Sequence, residues 1–551
     1  MTINNLRSAF LERMAAGLQR KSITSCSQWA KLYRVLKDGP WSFKYHPWLL
    51  EPHDSQCELH VVQKGAQLGF TELLLNVSLY TVDVKGTDVL YVLPNKTPDA
   101  GDFSTARFNP ALELSPYLSK LFSSNNQGHK RGGVNNLYIR GSQSRSGLKS
   151  IPVGLVILDE VEEMLEENVT LALERTAGQD ERRAWMVSTP HVPTLGINKY
   201  FLNTTQEHFF FPCPCCNRQI ELVFPDSLVI CGDDHTDPRI KETHLICTEC
   251  KAKLPHETKC DWLAPGKYVP MFPGKNDRGF TLGQLYSTAD ASAPPALASL
   301  YFRGLSSISD MSEFYNSKLG LTYVAPGAQV TDDEISEAMK AGDANGKSPH
   351  PDGLYTMGVD VGQPWLHCNI DRWYVPPFAN PSDLNADCVP TVHRFCKVKD
   401  FEDLDELMRK YNIQFCVIDA HPEKRKAFEF AMRFWGRVRL CYYPNGLSGR
   451  LVNINSDDGE PKVSADRTAW LDMTLGRFKT GKIRLPIDTD LEYRNHIKSL
   501  IRVYAKDANG NQTGRYEKES NKDDHYAHAR NYSEIALQFA MSHMSSSNIT
   551  E

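Results

Sequence analysis

The chain has 551 residues, a formal net charge of −5 at pH 7, and 41% hydrophobic and 23% charged residues. That length is more than one core usually supports, so two or three domains are expected, with the composition of a soluble globular protein. No apolar run approaches the ~18 residues of a membrane-spanning helix, and the negative balance excludes a uniformly basic nucleic-acid binder while leaving room for local basic grooves. The polar, helix-patterned start MTINNLRSAFLERMAAGLQRK lacks the apolar core of a secretory signal. The 14 cysteines therefore read as reduced thiols, and clusters among them point to metal before disulfide.

Residues 1–55 read as a lead-in segment of helices, Ser27–Leu36 among them, followed by the aromatic connector GPWSFKYHPW, whose rings pack the segment or surround an adenine. Leu59–Gln63 is a short strand. It runs into the turn Lys64-Gly65-Ala66-Gln67-Leu68-Gly69-Phe70-Thr71 and a helix over Glu72–Val82. Strand, glycine-bearing turn and helix make a phosphate cradle, because backbone N–H groups and a helix N-terminus face the anion. The pattern G-x-x-x-x-G-K-[ST] is not met. Phe70 stands at the lysine position, and Lys64 opens the loop, from where it can reach the phosphates from the other side; Thr71 keeps the Mg²⁺-ligand hydroxyl.

Thr87–Leu93 is another buried strand. Arg107, in FSTARFNP, starts a helical stretch; it can serve in trans on a neighbour's γ-phosphate or stand as a surface arginine. Asn136–Arg140 is a strand leading into the polar loop GSQSRSGLKS. Next comes VGLVILDE, a short continuous apolar run of the kind buried on both faces in a parallel sheet. It ends in Asp159 and Glu160, where ligands of such sheets bind. In P-loop enzymes the first of such a pair helps hold Mg²⁺ and the second polarises the attacking water. Glu162, Glu163, Glu166 and Glu167 follow and also suit a solvated acidic turn. Ala184–Pro190 is a strand ending in Ser188 and Thr189, a position that senses the γ-phosphate in helicase-like motors. Three strands thus bring a lysine, a carboxylate pair and a Ser-Thr pair to one edge.

Two C-x-x-C knuckles follow, Cys213/Cys216 in FPCPCCN and Cys247/Cys250 in CTEC. Two thiolates on a tight turn take two corners of a zinc tetrahedron, and two knuckles close it, so the zinc would be structural. Cys215 is a surplus thiol that could compete with a neighbour. Arg278–Ser287 and a helical stretch over Leu297–Leu319 close the first half. Residues 326–352 read as a Gly/Pro/Asp-rich linker around one short helix.

The pattern then restarts. Tyr355–Asp360, His367–Tyr374 and Thr391–Val398 are strands, Phe401–Tyr411 is an amphipathic helix, and Gln414–Asp419 is a buried strand. Strand-strand-strand-helix-strand with acids on the first and fourth strands is the ribonuclease-H-type order, in which those strands are neighbours and Asp360 and Asp419 converge. A late helix over Asp523–Arg530 offers a further ligand. Oxygen ligands clustered at one edge suit two Mg²⁺ or Mn²⁺ ions roughly 4 Å apart that activate water against a phosphodiester. Lys424, Arg425, Lys426, Arg433, Arg437 and Arg439 form either a groove for DNA phosphates or a solvated face.

An ATPase half with a lysine-first phosphate loop, a four-cysteine insertion and a ribonuclease-H-like half resembles the large terminase subunit of tailed bacteriophages, in its lambda-type (GpA-like) branch. The resemblance rests on KGAQLGFTE, FSTARFNP, GSQSRSGLKS before LVILDEVEE, VSTP, FPCPCCN with CTEC, RGFTLGQLYS and EFYNSKLGLTYV, and less sharply on MGVDVG, CVIDA and DDHYAHA. It implies an α/β fold: a P-loop (RecA/ASCE-type) ATPase domain over 56–325 with a zinc-ribbon insertion at about 209–265, and a ribonuclease-H-like endonuclease domain over 353–551. It implies a motor that cuts concatemeric double-stranded viral DNA, docks on the portal protein of an empty prohead and drives DNA inward with ATP. Its partners would be the terminase small subunit and further copies in a ring on the portal, in the host cytoplasm.

By motif, Lys64 to Thr71 would cradle the phosphates of ATP, with Thr71 and Asp159 on Mg²⁺, Glu160 as base, Ser188 and Thr189 as couplers and Arg107 as the trans arginine. Asp360, Asp419, Asp524 and His525 would hold the nuclease metal. Family members often carry an aspartate where His528 stands, which leaves Asp523, Asp524, His525 and His528 open as the third ligand. Ala420-His421-Pro422 replaces the family's glycine-rich stretch after the fourth-strand acid. The alternative is a P-loop DNA helicase or remodeller whose C-terminal domain binds DNA without cutting it. A further one is a zinc-ribbon scaffold with an inactive ATPase.

Overall fold

The structure, a computed structural model, describes residues 23–547 except 150, 341, 381–382, 445–446, 451, 453–458, 507–511 and 521. The helix expected at the start of the chain lies outside them. The chain divides into two units, Met1–Tyr323 and Val324–Glu551. Among the described residues no helix is long and apolar enough to cross a membrane.

The first unit is built on strands β1 (Leu59–Lys64), β2 (Val89–Leu93), β3 (Asn135–Gly141), β4 (Leu155–Asp159), β5 (Arg183–Ser188), β6 (Glu207–Pro212) and β7 (Arg278–Leu282). The order β7-β1-β5-β4-β2-β3 is parallel throughout. Every residue of β2 and β4 is buried, which is why these runs are continuously apolar instead of alternating. Because the strands are parallel, β1, β4 and β5 end at one edge, where Lys64, Asp159 and Ser188 stand. Helix α1 (Phe70–Tyr80) follows β1 directly and lies almost wholly buried.

Local differences from the expected elements have local causes. The first described helix stops at Tyr33, because Arg34 turns its guanidinium inward to Asn76 and Glu72, and Val35–Leu36 pairs with Gly39–Pro40 as a short ribbon. The stretch 297–319 breaks at Ser307, whose hydroxyl accepts the Asp310 N–H and starts a new helix. The polar loop after β3 contains the short helix Arg145–Leu148. Between β6 and β7 the strands Leu228–Val229, His244–Ile246 and Lys253–Leu254 form a small antiparallel sheet.

In the second unit the strands are β8 (Leu354–Val361), β9 (Leu366–Tyr374), β10 (Val389–Val398), β11 (Phe415–Asp419), β12 (Val438–Tyr442) and β13 (Lys462–Ser464). Their order is β10-β9-β8-β11-β12-β13. The first three are antiparallel, and β11 and β12 join in parallel. The first and fourth strands are therefore neighbours. Helix α2 (His525–Ser547) crosses the sheet over β8, and a Cβ at Gly358 would stand 1.9 Å from the Ala529 carbonyl oxygen. Only glycine lets the helix lie that close. The stretch expected as a linker packs with this unit: helix Asp332–Met339 starts in a Thr331/Glu334 capping box, and Ile335 and Val330 are buried in its core.

Candidate functional site

The phosphate turn forms because β1 ends at Lys64 and Gly69, at φ +81°, reverses the chain into α1. A Cβ at Gly69 would meet Leu49 at 2.9 Å, and one at Gly65 would meet the Lys318 carbonyl at 2.7 Å. Gly65 N–H donates to Leu282 O and Ala66 N–H to Ser317 O, so β7 and the helix end before Gly320 brace the start of the turn. Gln284 on the far side of β7 donates to Ala66 O. The remaining donors are those of the α1 N-terminus, which have no partner within a helix.

A cleft of about 810 Å³ opens over this turn. Lys64, the turn from Ala66 to Thr71, Glu160, Thr189 and Arg107 line it. Leu36, Trp41, His46 and Leu49 form its apolar wall, so the aromatic connector both packs the segment and reaches the cleft. Trp48 is buried and its Nε1–H donates to Leu68 O.

Asp159 is 3% exposed. Burial raises its pKa, opposed by the Tyr91 hydroxyl, by Lys64 and by the Thr71 hydroxyl. Burial lowers the pKa of Lys64, opposed by Asp159 and Glu160. Glu160 takes a left-handed backbone at φ +66°, an outlier of the kind that concentrates at functional sites. Burial, and after it Asp159, raises the Glu160 pKa. Glu162 belongs to no solvated turn: its carboxylate accepts the N–H groups of His191 and Ile197, and its own N–H donates to Ser188 Oγ. Ser188 thus ties the end of β5 to the acidic turn. Arg107 lines the cleft of its own chain and stands 3.6 Å from Glu72.

The four cysteines of the knuckles come together with Sγ atoms within 4.8 Å of one another. Cys213 and Cys250 are 3.8 Å apart, and Cys216 and Cys247 3.9 Å. Four sulfurs at about 2.3 Å from a common zinc would stand about 3.8 Å apart, so the thiols fit the ion. Each knuckle closes alike: Asn217 and Lys251 take left-handed backbones, and backbone N–H groups of Cys215 and Glu249 point at Cys213 and Cys247 sulfur. Cys215 is exposed and outside the group.

In the second unit Asp360 is 7% exposed near the end of β8, and Asp419 ends the adjacent β11. Burial raises the pKa of Asp419, and Asp360 adds to the rise. His525, the first residue of α2, has its Nδ1 2.7 Å from Asp360 Oδ2, a bond that raises the histidine's pKa. His367, opposite Asp360 in the β8/β9 register, completes a set of three donors within 4.8 Å. Sequence reasoning missed His367, whose only signal is that register. Asp524 is not in this set: it pairs with His528 at 3.2 Å and Lys518 at 3.8 Å. Burial pushes its pKa up, but the His528 bond and the nearby cations outweigh this and hold it at about 2. Asp523 is exposed.

The basic residues after Asp419 are largely spoken for. Lys424 pairs with Glu460, Arg425 with Glu429, Lys426 with Glu423 and Arg433 with Asp405. Arg437 and Arg439 donate to the carbonyls of Ile413 and Lys462. Lys424, Arg425 and Lys426 keep exposed side chains in these pairs.

Strand order, turn lysine and carboxylate pair define an ATPase-type α/β domain in the first unit. Residues 36–268 match the family model described as phage terminase large subunit gpA, ATPase domain. Over those residues the chain is similar to the ATPase domain of the phage terminase large subunits, of the lambda-like gpA type. Comparison with curated proteins found no match. Among solved structures, the large terminase of bacteriophage HK97 aligns over 93% of this chain and 98% of its own at 11% identity and a TM-score of 0.51, a likeness of fold. The large terminase of a thermophilic bacteriophage in complex with ATP-γ-S aligns over 90% and 99% at 13% identity and a TM-score of 0.29. The large terminase nuclease of thermophilic phage G20c with bound magnesium aligns over 36% and 95% at 13% identity and a TM-score of 0.23.

Proposed function

We propose that the chain couples ATP hydrolysis in its first unit to translocation of double-stranded viral DNA into the prohead, and cuts that DNA at a metal centre in its second unit. The observation that carries the motor half is the convergence of Lys64, Thr71 and Glu160 on one cleft, with the buried Asp159 carboxylate interacting with Lys64 and Thr71. ATP binds with its phosphates over the turn and the α1 N-terminus and its base against the apolar wall of Trp41 and Leu49. Thr71 and Asp159 hold the Mg²⁺ of the nucleotide. Glu160 takes the proton of the attacking water, and Arg107 offsets charge at the γ-phosphate from within the same chain. Ser188, bonded to the acidic turn, and Thr189 pass the state of that phosphate to β5. The four-cysteine group holds a structural Zn²⁺.

The nuclease half has a ribonuclease-H-like strand order with Asp360 and Asp419 on adjacent strands. A divalent ion there would supply the Lewis acid for phosphodiester hydrolysis; Asp360 and His525 would hold it, with Asp419 on the neighbouring strand beside them. The fold family implies further partners, a small subunit and a portal, on which the chain assembles as a ring. The direct test of the motor is DNA-stimulated ATP turnover. Glu160→Gln should lower turnover by about 10²–10⁴ while nucleotide still binds; turnover unchanged in that variant would remove Glu160 from the chemistry.

A further inference from the structure

Asp360 and His367 are directly opposed across the antiparallel pair β8/β9, so their side chains emerge on the same face of the sheet. His525 approaches the same point from α2, with its Nδ1 2.7 Å from Asp360 Oδ2. The His367 and His525 rings stack at 4.4 Å and 13°. His367 is only 5% exposed, and its Nδ1 is buried with no hydrogen-bond partner among the described residues. A buried ring nitrogen left so costs about 1–3 kcal/mol, and native structures keep such groups when something binds them. The neighbouring His496 is already engaged, its Nδ1 accepting from Tyr526 N–H at 3.3 Å, and it walls the pair at 5.7 Å from each ring.

We propose that Asp360, His367 and His525 form a two-imidazole, one-carboxylate site for a first-row transition cation. Its donor chemistry selects that class against Mg²⁺. Mg²⁺ takes oxygen ligands in an octahedron and keeps several waters, whereas imidazole suits the borderline ions. The separation of Asp360 and His525 donors is close to the ~3 Å between two ligands on one such ion. The inference deepens the nuclease reading and rests on it only for the consequence that cleavage prefers Mn²⁺; binding of the ion does not depend on it.

The test is Mn²⁺ titration of the full-length protein without nucleotide, followed by electron paramagnetic resonance. The expected result is a bound Mn²⁺ with ¹⁴N couplings from imidazole, not displaced by a tenfold excess of Mg²⁺. His367→Ala should weaken binding by about tenfold or more and remove part of the ¹⁴N signal. His525→Ala, at a half-exposed helix start, gives the same readout if His367→Ala fails to fold. Asp159→Asn should leave this signal unchanged, which separates it from the nucleotide site. Mn²⁺ bound without ¹⁴N couplings, displaced by equimolar Mg²⁺, or bound equally by the histidine variants would overturn the site. Mn²⁺ held through imidazole in a protein that cuts no plasmid would leave the site standing and remove the nuclease reading. Plasmid cut by a wild type whose bound Mn²⁺ shows no ¹⁴N couplings would do the reverse.

Discussion

Tyr91 donates its hydroxyl hydrogen to Asp159 Oδ2 at 2.7 Å, from one buried parallel strand to the next. The bond sets the orientation of a carboxylate that burial alone would push toward its neutral form. Tyr91→Phe keeps the ring against Phe103 and Phe108 and removes only the donor. The loss of one bond to a buried charged group is about 1.5–3 kcal/mol. ATP turnover should therefore fall by about tenfold or more, and the melting temperature of the first unit by a few degrees. Turnover equal to wild type would show that Asp159 needs no such support.

The knuckle geometry separates Cys215 from the four clustered thiols. Cys247→Ser should release zinc and lower the unfolding temperature, because structural zinc contributes directly to folding. Cys215→Ala should retain one zinc per chain and the wild-type unfolding temperature. Metal content by mass spectrometry reads both; zinc lost from Cys215→Ala would contradict the assignment.

His60 is buried in the first unit with its ring stacked on Trp185 at 4.0 Å. Burial drives its pKa to about 3, and burial takes that of His53 to about 4. Both values lie below the ~6.5 of an unfolded histidine. Between these limits the unfolded chain binds more protons, so stability falls as pH drops through about 6.5 and is flat above it. Each histidine contributes up to ~1.4 kcal/mol per pH unit within the window. His60→Phe, which cannot titrate, should lose less stability than wild type on acidification from about pH 7 to 5. Equal slopes in chemical denaturation would contradict this.

At Gly358 a Cβ would stand 1.9 Å from Ala529 O and 2.3 Å from Ser533 N. Gly358→Ala forces α2 off the central strand. A destabilisation of about 3 kcal/mol is expected, read as a lower unfolding midpoint of the second unit, together with loss of any metal that His525 holds. An unchanged midpoint would mean that the helix is not seated there.

Much of this was legible in the sequence because it is carried by local pattern. Continuous apolar runs ending in Asp159 and Asp419 gave buried strands, and the C-x-x-C spacing gave the thiol group down to its members. What escaped depends on register and tertiary partners. His367 reads as an ordinary strand residue until β9 is laid against β8. Glu163, Glu166 and Glu167 are exposed as a solvated turn would have them, but Glu162 looks the same in sequence until it is seen to cap the backbone of 191 and 197. The basic run beyond Asp419 shows its acidic partners only once the unit is folded, and Asp524 is claimed by His528, four residues on. Residues 326–352 carry linker composition, yet Val330 and Ile335 suffice to pin them to the second unit.

On the reading proposed above, one chain joins an ATPase to a metal-dependent nuclease. The measurement that tests it most directly is plasmid cleavage by the full-length protein with Mn²⁺, beside Asp360→Ala under the same conditions. Nicked and linear product is expected from the wild type and none from the variant, with ATP turnover preserved in both. Undiminished cleavage by Asp360→Ala, or none by a wild type that turns over ATP, would contradict it.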